Sequence, residues 1–275
     1  MLRYFFTPQA WVYGFIISPE SYKSWSVGLT FTLIGCILAI AAVAYFLGSV
    51  NSAIILTRIV YGEDIRKKGS GNAGMTNVMR SYGWLPALIT LVGDMLKCML
   101  SMMIGTMLWG LNGAYVAGLF CIIGHVAPAM YKLKGGKGVA ASFMFILYID
   151  WRVFIIVGLL FILLVWATKY LSLGSVICAM VMPLMLNKFD KLDGYAFLEF
   201  IRLVIAILIG ALVVYKHRLN IKRIMDKTES RFTFKRTVKK TELETEQVEV
   251  APAELTAEEL KRKEINRKKS AKKKK

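Results

Sequence analysis

Charge spacing is the feature that most constrains what this chain can become. Residues 27–47 contain no Asp, Glu, Lys or Arg. Further apolar runs follow at 84–109, 113–130, 139–149, 153–168, 173–187 and 198–215. A helix of about 20 mainly apolar residues reaches across the hydrocarbon core of a bilayer. Hydrophobic residues make up 56% of the chain, and the mean hydropathy is +0.52. Soluble domains carry more charge and less apolar surface. The pattern predicts an all-α, polytopic membrane bundle of about seven transmembrane helices. The 139–149 run is short, about 16 Å as a helix, and reads as a half-span.

The net charge of +18 is unevenly distributed, with +10 of it on residues 216–275. The Lys/Arg-bearing connectors lie at 58–80, 131–138, 169 and from 216 onward. With seven spans they all fall on one face, which the positive-inside rule assigns to the cytoplasm. The N-terminus is then outside, the C-terminal tail inside, and the chain a multi-pass protein of the cell membrane. Residues 1–26 read as an interfacial extension, with Trp11, Tyr13, Phe15, Tyr22 and Trp25 suited to headgroup depth. Residues 27–229 form the membrane domain, and 230–275 a basic, disordered tail. The lysines at its end suit anionic membrane lipid. No nucleic-acid motif accompanies them, so no nucleic-acid partner is expected. Cys36, Cys98, Cys121 and Cys178 sit in apolar stretches without CxxC spacing, which gives neither a disulfide framework nor a zinc site. No metal or cofactor is expected.

The polar residues that can carry chemistry cluster on the predicted cytoplasmic face. Residues 64–80 hold Gly69, Gly71 and Gly74 among the donors Ser70, Asn72, Thr76, Asn77 and Arg80. The glycines formally match GxGxxG, but the loop follows a membrane helix instead of a buried strand, so a nucleotide fold is excluded. Glycines still let backbone N–H groups approach an anion, and Arg80 adds a planar cationic fork. Lys134-Gly135-Gly136-Lys137-Gly138 stands directly before an apolar run. A helix N-terminus there favours a phosphate. Asp94 and Lys97 lie three apart inside an apolar run. Either they neutralise each other, or Asp94 orients Lys97 toward a phosphate. The two histidines, His125 and His217, both stand near these loops, and His217 opens a run containing Asn220 and Arg223.

These residues resemble the bacterial acyl-phosphate:glycerol-3-phosphate acyltransferase family, the PlsY type. The likeness runs from about residue 44 to 229. It is carried by Gly48-Ser49, the 64–80 run, Asp94 with Lys97, Gly124-His125 with Pro128, 134–140, Tyr170 with 172–175, and His217 to Arg223 with Glu229. The family has Ile-Pro where this chain has Val50-Asn51, and Gly where it has Cys98. The resemblance implies transfer of a fatty acyl group from acyl phosphate to the 1-hydroxyl of glycerol 3-phosphate. The products are lysophosphatidic acid and phosphate. It implies that Gly135, Gly136, Lys137 and Gly138, with His125 and Ser172, hold the acyl phosphate. Ser70, Asn72, Thr76, Asn77, Arg80, Lys97, His217, Asn220 and Arg223 would surround glycerol 3-phosphate. Ser70, Lys137, His217 and Asn220 would be catalytic. The acceptor of the hydroxyl proton stays open between a histidine and the substrate's own phosphate, with Ser70 as a covalent nucleophile the least favoured route. Two other classes fit part of the pattern. A transporter of an anionic solute would use the same helix-end sites, and a membrane anchor would use the basic tail.

Overall fold

A computed structural model describes residues 27–193 and 199–232. The extension expected to be interfacial at 1–26, and the expected tail at 230–275 beyond residue 232, lie outside the described residues. Among those described, every regular element is helical.

Helix α1 (Val27–Ser49) breaks at Val50, and α2 (Ser52–Tyr61) departs with Asn51 as its N-cap. The Asn51 side chain accepts from Ile54 N and donates across to the Ala73 carbonyl. One buried amide thus caps the helix and tethers the next loop. A 3-10 turn (Ile65–Lys67) and helix α3 (Met75–Tyr82) lie inside the stretch expected to be one loop. The glycines there do not prevent order, because Asn77 gathers the loop around itself. Its amide donates toward the carbonyls of Ile65, Lys68 and Asn72, and its oxygen accepts from Ser70 N.

Helix α4 (Trp84–Val126) spans 43 residues but is not a rod. Lys97 Nζ lies 3.0 Å from His125 Nδ1, across 28 residues that would cover about 42 Å in a straight helix. The helix doubles back at Trp109 and Gly110, whose backbone angles are non-helical. Gly110 has φ 55° and ψ −146°, a region essentially reserved for glycine. Gly105 and Gly113 let the two limbs touch, since a Cβ on either would sit within 2.3 Å of the other's carbonyl oxygen. The two limbs correspond to the separate runs at 84–109 and 113–130.

Helix α5 (Val139–Ile149) is followed by α6 (Trp151–Thr168), whose N-cap Asp150 accepts from Arg152 N and Val153 N. Then come α7 (Leu171–Leu192), α8 (Glu199–Lys216) and α9 (Arg218–Met225). Four helical segments are long and apolar enough to cross a membrane, or five if α8 and α9, bent by 51°, form one span. The expected seven needs α4 counted as two passes and the short α5 admitted; length and composition support four or five.

Packing follows small residues. A Cβ on Gly48 would meet the Cys121 carbonyl at 2.1 Å, and one on Gly124 the Tyr45 carbonyl at 2.3 Å. This close approach of α1 to the second limb of α4 is the usual membrane solution, where burial from water drives nothing and contact area decides. Large apolar side chains point outward instead, including Phe31, Leu38, Leu159, Ile162 and Trp166. Away from the glycine loops, Arg202 joins Asp190 to Asn112, and Arg152 joins Asp150 to Asp193.

Candidate active site

The glycine–lysine loop at 132–138 is the centre of the site. Its shape is imposed from below by the second limb of α4. Gly135 N and Gly136 N donate to the carbonyls of Val126 and His125. A Cβ on Gly135 would lie 2.0 Å from the His125 carbonyl oxygen, and one on Gly136 2.1 Å from His125 Nε2. Both positions therefore exclude any side chain. Gly138 adopts φ 84° as the N-cap of α5. The loop thus delivers the free N–H groups of that helix to one side, where an anion is favoured.

Beneath it lies a buried polar cluster. Lys97 Nζ is 2.6 Å from the Val50 carbonyl, 2.9 Å from Asp94 Oδ1 and 3.0 Å from His125 Nδ1. The ammonium donates to the Val50 carbonyl, faces the His125 ring nitrogen and is paired in charge with Asp94. A proton pointing at Nδ1 makes that nitrogen the acceptor and leaves the imidazole proton on Nε2, under Gly136. Of the two readings offered by the Asp94–Lys97 spacing, the geometry supplies mutual neutralisation, with His125 as a third member. Such a cluster is tolerated at membrane depth because every charge is paired.

Across the loop, residues 217–229 close the other side. Lys137 Nζ donates to Asn220 Oδ1, and Asn220 Nδ2 donates to Glu229 Oε1 at 2.7 Å. A cation on one side and a carboxylate on the other fix which way the amide points. Glu229 also receives Ser172 Oγ at 2.8 Å and Arg223 Nε at 2.7 Å. Burial pushes the Glu229 carboxyl up, but the hydrogen bonds from Asn220, Arg223 and Ser172 outweigh it and hold the group below its ordinary value. Burial acts the other way on Lys137. Desolvation lowers its pKa to about 8, and neighbouring Arg223, Arg80 and Lys216 add to the lowering against the pull of Glu229. His217 Nδ1 lies 2.8 Å from the Val213 carbonyl. A carbonyl only accepts, so Nδ1 carries the proton and Nε2 keeps its lone pair.

The 64–80 segment forms the third wall. Arg66 clamps it to the glycine–lysine loop, donating to the carbonyls of Tyr131 and Lys134 while its fork holds Asp64. The Arg66 hydrogen bonds hold the Asp64 carboxyl well below the usual carboxylate range, against the effect of its burial. The Ala73 carbonyl comes within 2.8 Å of where a Gly136 Cβ would be, so the two glycine loops are in contact. Ser70 and Arg80 are exposed, Asn72 and Thr76 half-buried, and Asn77 buried.

The sequence-predicted residues thus sort themselves by what remains free. Lys137, Asn220, Arg223 and Ser172 meet directly or through Glu229, with Arg80 in electrostatic range. Lys97, His125 and Asn77 are engaged in holding the loops. Glu229 stood among the marks of the resemblance but not among the expected site residues. Its signal was a buried-type acid inside a basic run, and only the fold back over Asn220 discloses what it does.

This arrangement has close relatives. The glycerol-3-phosphate acyltransferase family model matches residues 38–227. A glycerol-3-phosphate acyltransferase of Finegoldia magna is 38% identical over 198 residues, covering 71% of this chain and 96% of that protein. One of Carboxydothermus hydrogenoformans is 37% identical over 195 residues, covering 71% and 96%. Among solved structures, PlsY (YgiH), an integral membrane glycerol 3-phosphate acyltransferase, superposes in its glycerol 3-phosphate form with a TM-score of 0.64. It is 31% identical, and the match covers 72% of this chain and 96% of that one. The form with lysophosphatidic acid gives a TM-score of 0.63 at 30% identity. In sequence and in helical architecture, this chain belongs to the glycerol-3-phosphate acyltransferase family.

Proposed function

We propose that the protein transfers a fatty acyl group from acyl phosphate to the 1-hydroxyl of glycerol 3-phosphate in membrane phospholipid synthesis. The observation that carries this reading is the join between Lys137 and the apolar interior. The anion-facing loop 135–138 runs straight into α5, and Val139 already lines a narrow apolar cleft between α5, α6, α7 and α8. A donor with a phosphate at one end and a hydrocarbon chain at the other matches that polarity.

In this reading the Lys137 ammonium and the N–H groups of residues 137–138 hold the acyl phosphate, on a loop whose Gly135 and Gly136 N–H groups are spent on the Val126 and His125 carbonyls. Arg80, Ser70, Thr76, Arg223 and Asn220 surround glycerol 3-phosphate. Asn72 sits in the same wall. Lys97, His125 and Asn77 act as positioning residues, since their hydrogen bonds are spent on the protein. Ser172 acts through Glu229. An acyl phosphate is a mixed anhydride, so phosphate departs readily once the hydroxyl oxygen has attacked. Holding the hydroxyl near the carbonyl carbon, inside a cationic frame, then supplies much of the rate. His217 Nε2 is the protein group with a free lone pair for the hydroxyl proton, and the departing phosphate is the alternative acceptor. The reading assigns no metal and no cofactor.

The test is phosphate release by the purified protein in detergent, given palmitoyl phosphate and glycerol 3-phosphate without added metal, beside Lys137→Ala. The expected result is release that needs both substrates, yields lysophosphatidic acid, and falls at least 100-fold in the variant (roughly what one lost transition-state donor costs). Lysophosphatidic acid formed from acyl-CoA or acyl carrier protein but not from palmitoyl phosphate would overturn the choice of donor.

A further inference from the structure

Most buried hydroxyls on the described helices follow one habit, Ser172 apart, which donates to Glu229. Thr57, Thr90, Ser101, Thr106, Thr168 and Ser175 each donate to the carbonyl four residues back. That is the ordinary way for Ser and Thr to hide a hydroxyl in an apolar bundle. Ser142 breaks the habit. It is only 8% exposed, and its Oγ has no hydrogen-bond partner. A buried unpaired hydroxyl is a cost the fold carries for no structural return.

Its position suggests the return. Ser142 is on α5 one turn past Gly138, and its N–H bonds the Gly138 carbonyl. Side chains on a helix lean toward its N-terminus, so this hydroxyl leans toward the anion-facing loop. Ser142 also lines the apolar cleft, together with Val139, Ile146, Ser175, Met182 and Val213. The other lining groups able to hydrogen bond are already committed, Ser175 Oγ to Leu171 O and Cys178 Sγ to Val157 O. Ser142 is therefore the lining side chain with a donor to spare, at the seam between the phosphate end and the chain end of the cleft. In an acyl phosphate that seam is where the carbonyl group lies.

We propose that the Ser142 hydroxyl donates to the acyl carbonyl oxygen of the bound donor and strengthens that bond as the oxygen becomes anionic. This rests on the reading of the donor as an acyl phosphate. The glycerol 3-phosphate hydroxyl oxygen bonds to the carbonyl carbon, and the carbonyl π pair moves onto its oxygen, where Ser142 donates. The pair then returns to re-form the C=O bond, and the carbon–oxygen bond to phosphate breaks, the pair leaving with phosphate. The hydroxyl proton goes to His217 or to the phosphate. Ser142 keeps its own proton throughout and forms no bond to carbon.

The experiment compares the wild type, Ser142→Ala and Ser142→Thr in detergent with palmitoyl phosphate and glycerol 3-phosphate. Wild-type turnover comes first, because its absence sinks the donor reading and leaves Ser142 out of the matter. Given turnover, Ser142→Ala is expected to lower kcat about 100-fold, with both KM values within about threefold, since the bond matters most when charge has developed. Its melting temperature should equal or exceed the wild type's, because an unpaired buried hydroxyl has been removed. Ser142→Thr, which keeps the donor, should recover most of kcat. Wild-type kcat in Ser142→Ala would overturn the proposal. So would a loss of kcat that comes with a lower melting temperature and no recovery in Ser142→Thr, which marks a packing role.

Discussion

Lys137 carries its charge in a partly desolvated position, with a pKa of about 8 in place of 10.5. Below that pH the ammonium is charged and can hold a phosphate; above it the group is neutral. The kcat/KM for acyl phosphate should therefore fall as pH rises through about 8, because that ratio reports the free enzyme. The kcat profile should fall at higher pH, since a bound dianion restores the charged form. A pH–rate series measures both, and coincident limbs would show that Lys137 is not the titrating group. The stability sign is opposite. Holding the charge costs the folded state below about 8, and that cost is relieved as pH rises from about 8 to 10.5. Asn220 gives a second prediction. Its amide bridges Lys137 and Glu229, so Asn220→Asp sets two carboxylates side by side and should cut turnover at least tenfold near neutral pH. Full activity in that variant would mean that the bridge is dispensable. At this scale the loop residues were legible, because glycine and lysine before an apolar run have few other uses. The departures from the family pattern were not. Asn51 caps α2 and tethers Ala73, while Cys98 Sγ reaches the Ala141 carbonyl on α5. The Asn51–Ala73 and Cys98–Ala141 contacts join residues 22 and 43 apart, too distant for any local rule to pair them.

Helix boundaries were legible to within a few residues wherever an apolar run was bounded by Gly, Pro or charge. The runs at 84–109 and 113–130 became the limbs of one folded-back helix, because Gly110 supplies the turn and Gly105 and Gly113 the contact. Helix α3 was missed, since its eight residues have no apolar run and are held mainly by Asn77. Two substitutions separate support from chemistry at this scale. Gly136→Ala drives a methyl into the His125 ring and should abolish turnover while the bundle stays folded, as read by a size-exclusion profile in detergent. Gly124→Val places bulk against the Tyr45 carbonyl and should instead lower the melting temperature, with overpacking costing about 1–3 kcal/mol. A melting temperature unchanged in the second variant would contradict the close contact of α1 and α4.

The whole molecule is organised as two unlike groups of polar residues joined by apolar helices. The glycine loops and the 217–229 return form one. The ion pairs Arg202–Asp190 and Arg152 with Asp150 and Asp193 form the other. Lysine and arginine counts predicted a cytoplasmic face at the first, but in the second Arg202–Asp190 and Arg152–Asp193 join residues 12 and 41 apart and left no local signature. Orientation has a direct test. The native cysteines Cys36, Cys98, Cys121 and Cys178 are buried. A cysteine introduced at exposed Lys132 or Lys191 should thus be the group that an impermeant maleimide labels. Lys132→Cys is expected to react only in inverted vesicles and Lys191→Cys only in right-side-out cells; the reverse pattern would invert the proposed topology.

Glu229 comes after every membrane-crossing helix among the described residues, yet it ties together Ser172, Asn220 and Arg223 around Lys137. During synthesis this places the completion of the site at the end. A nascent chain can insert all of its helices and still lack the carboxylate that sets Asn220. Phe232 N then fastens the return to the Lys169 carbonyl. Biosynthesis therefore separates insertion from competence: a chain that lacked the residues after 225 would keep its membrane-crossing helices but lose the carboxylate that orients Asn220 toward Lys137.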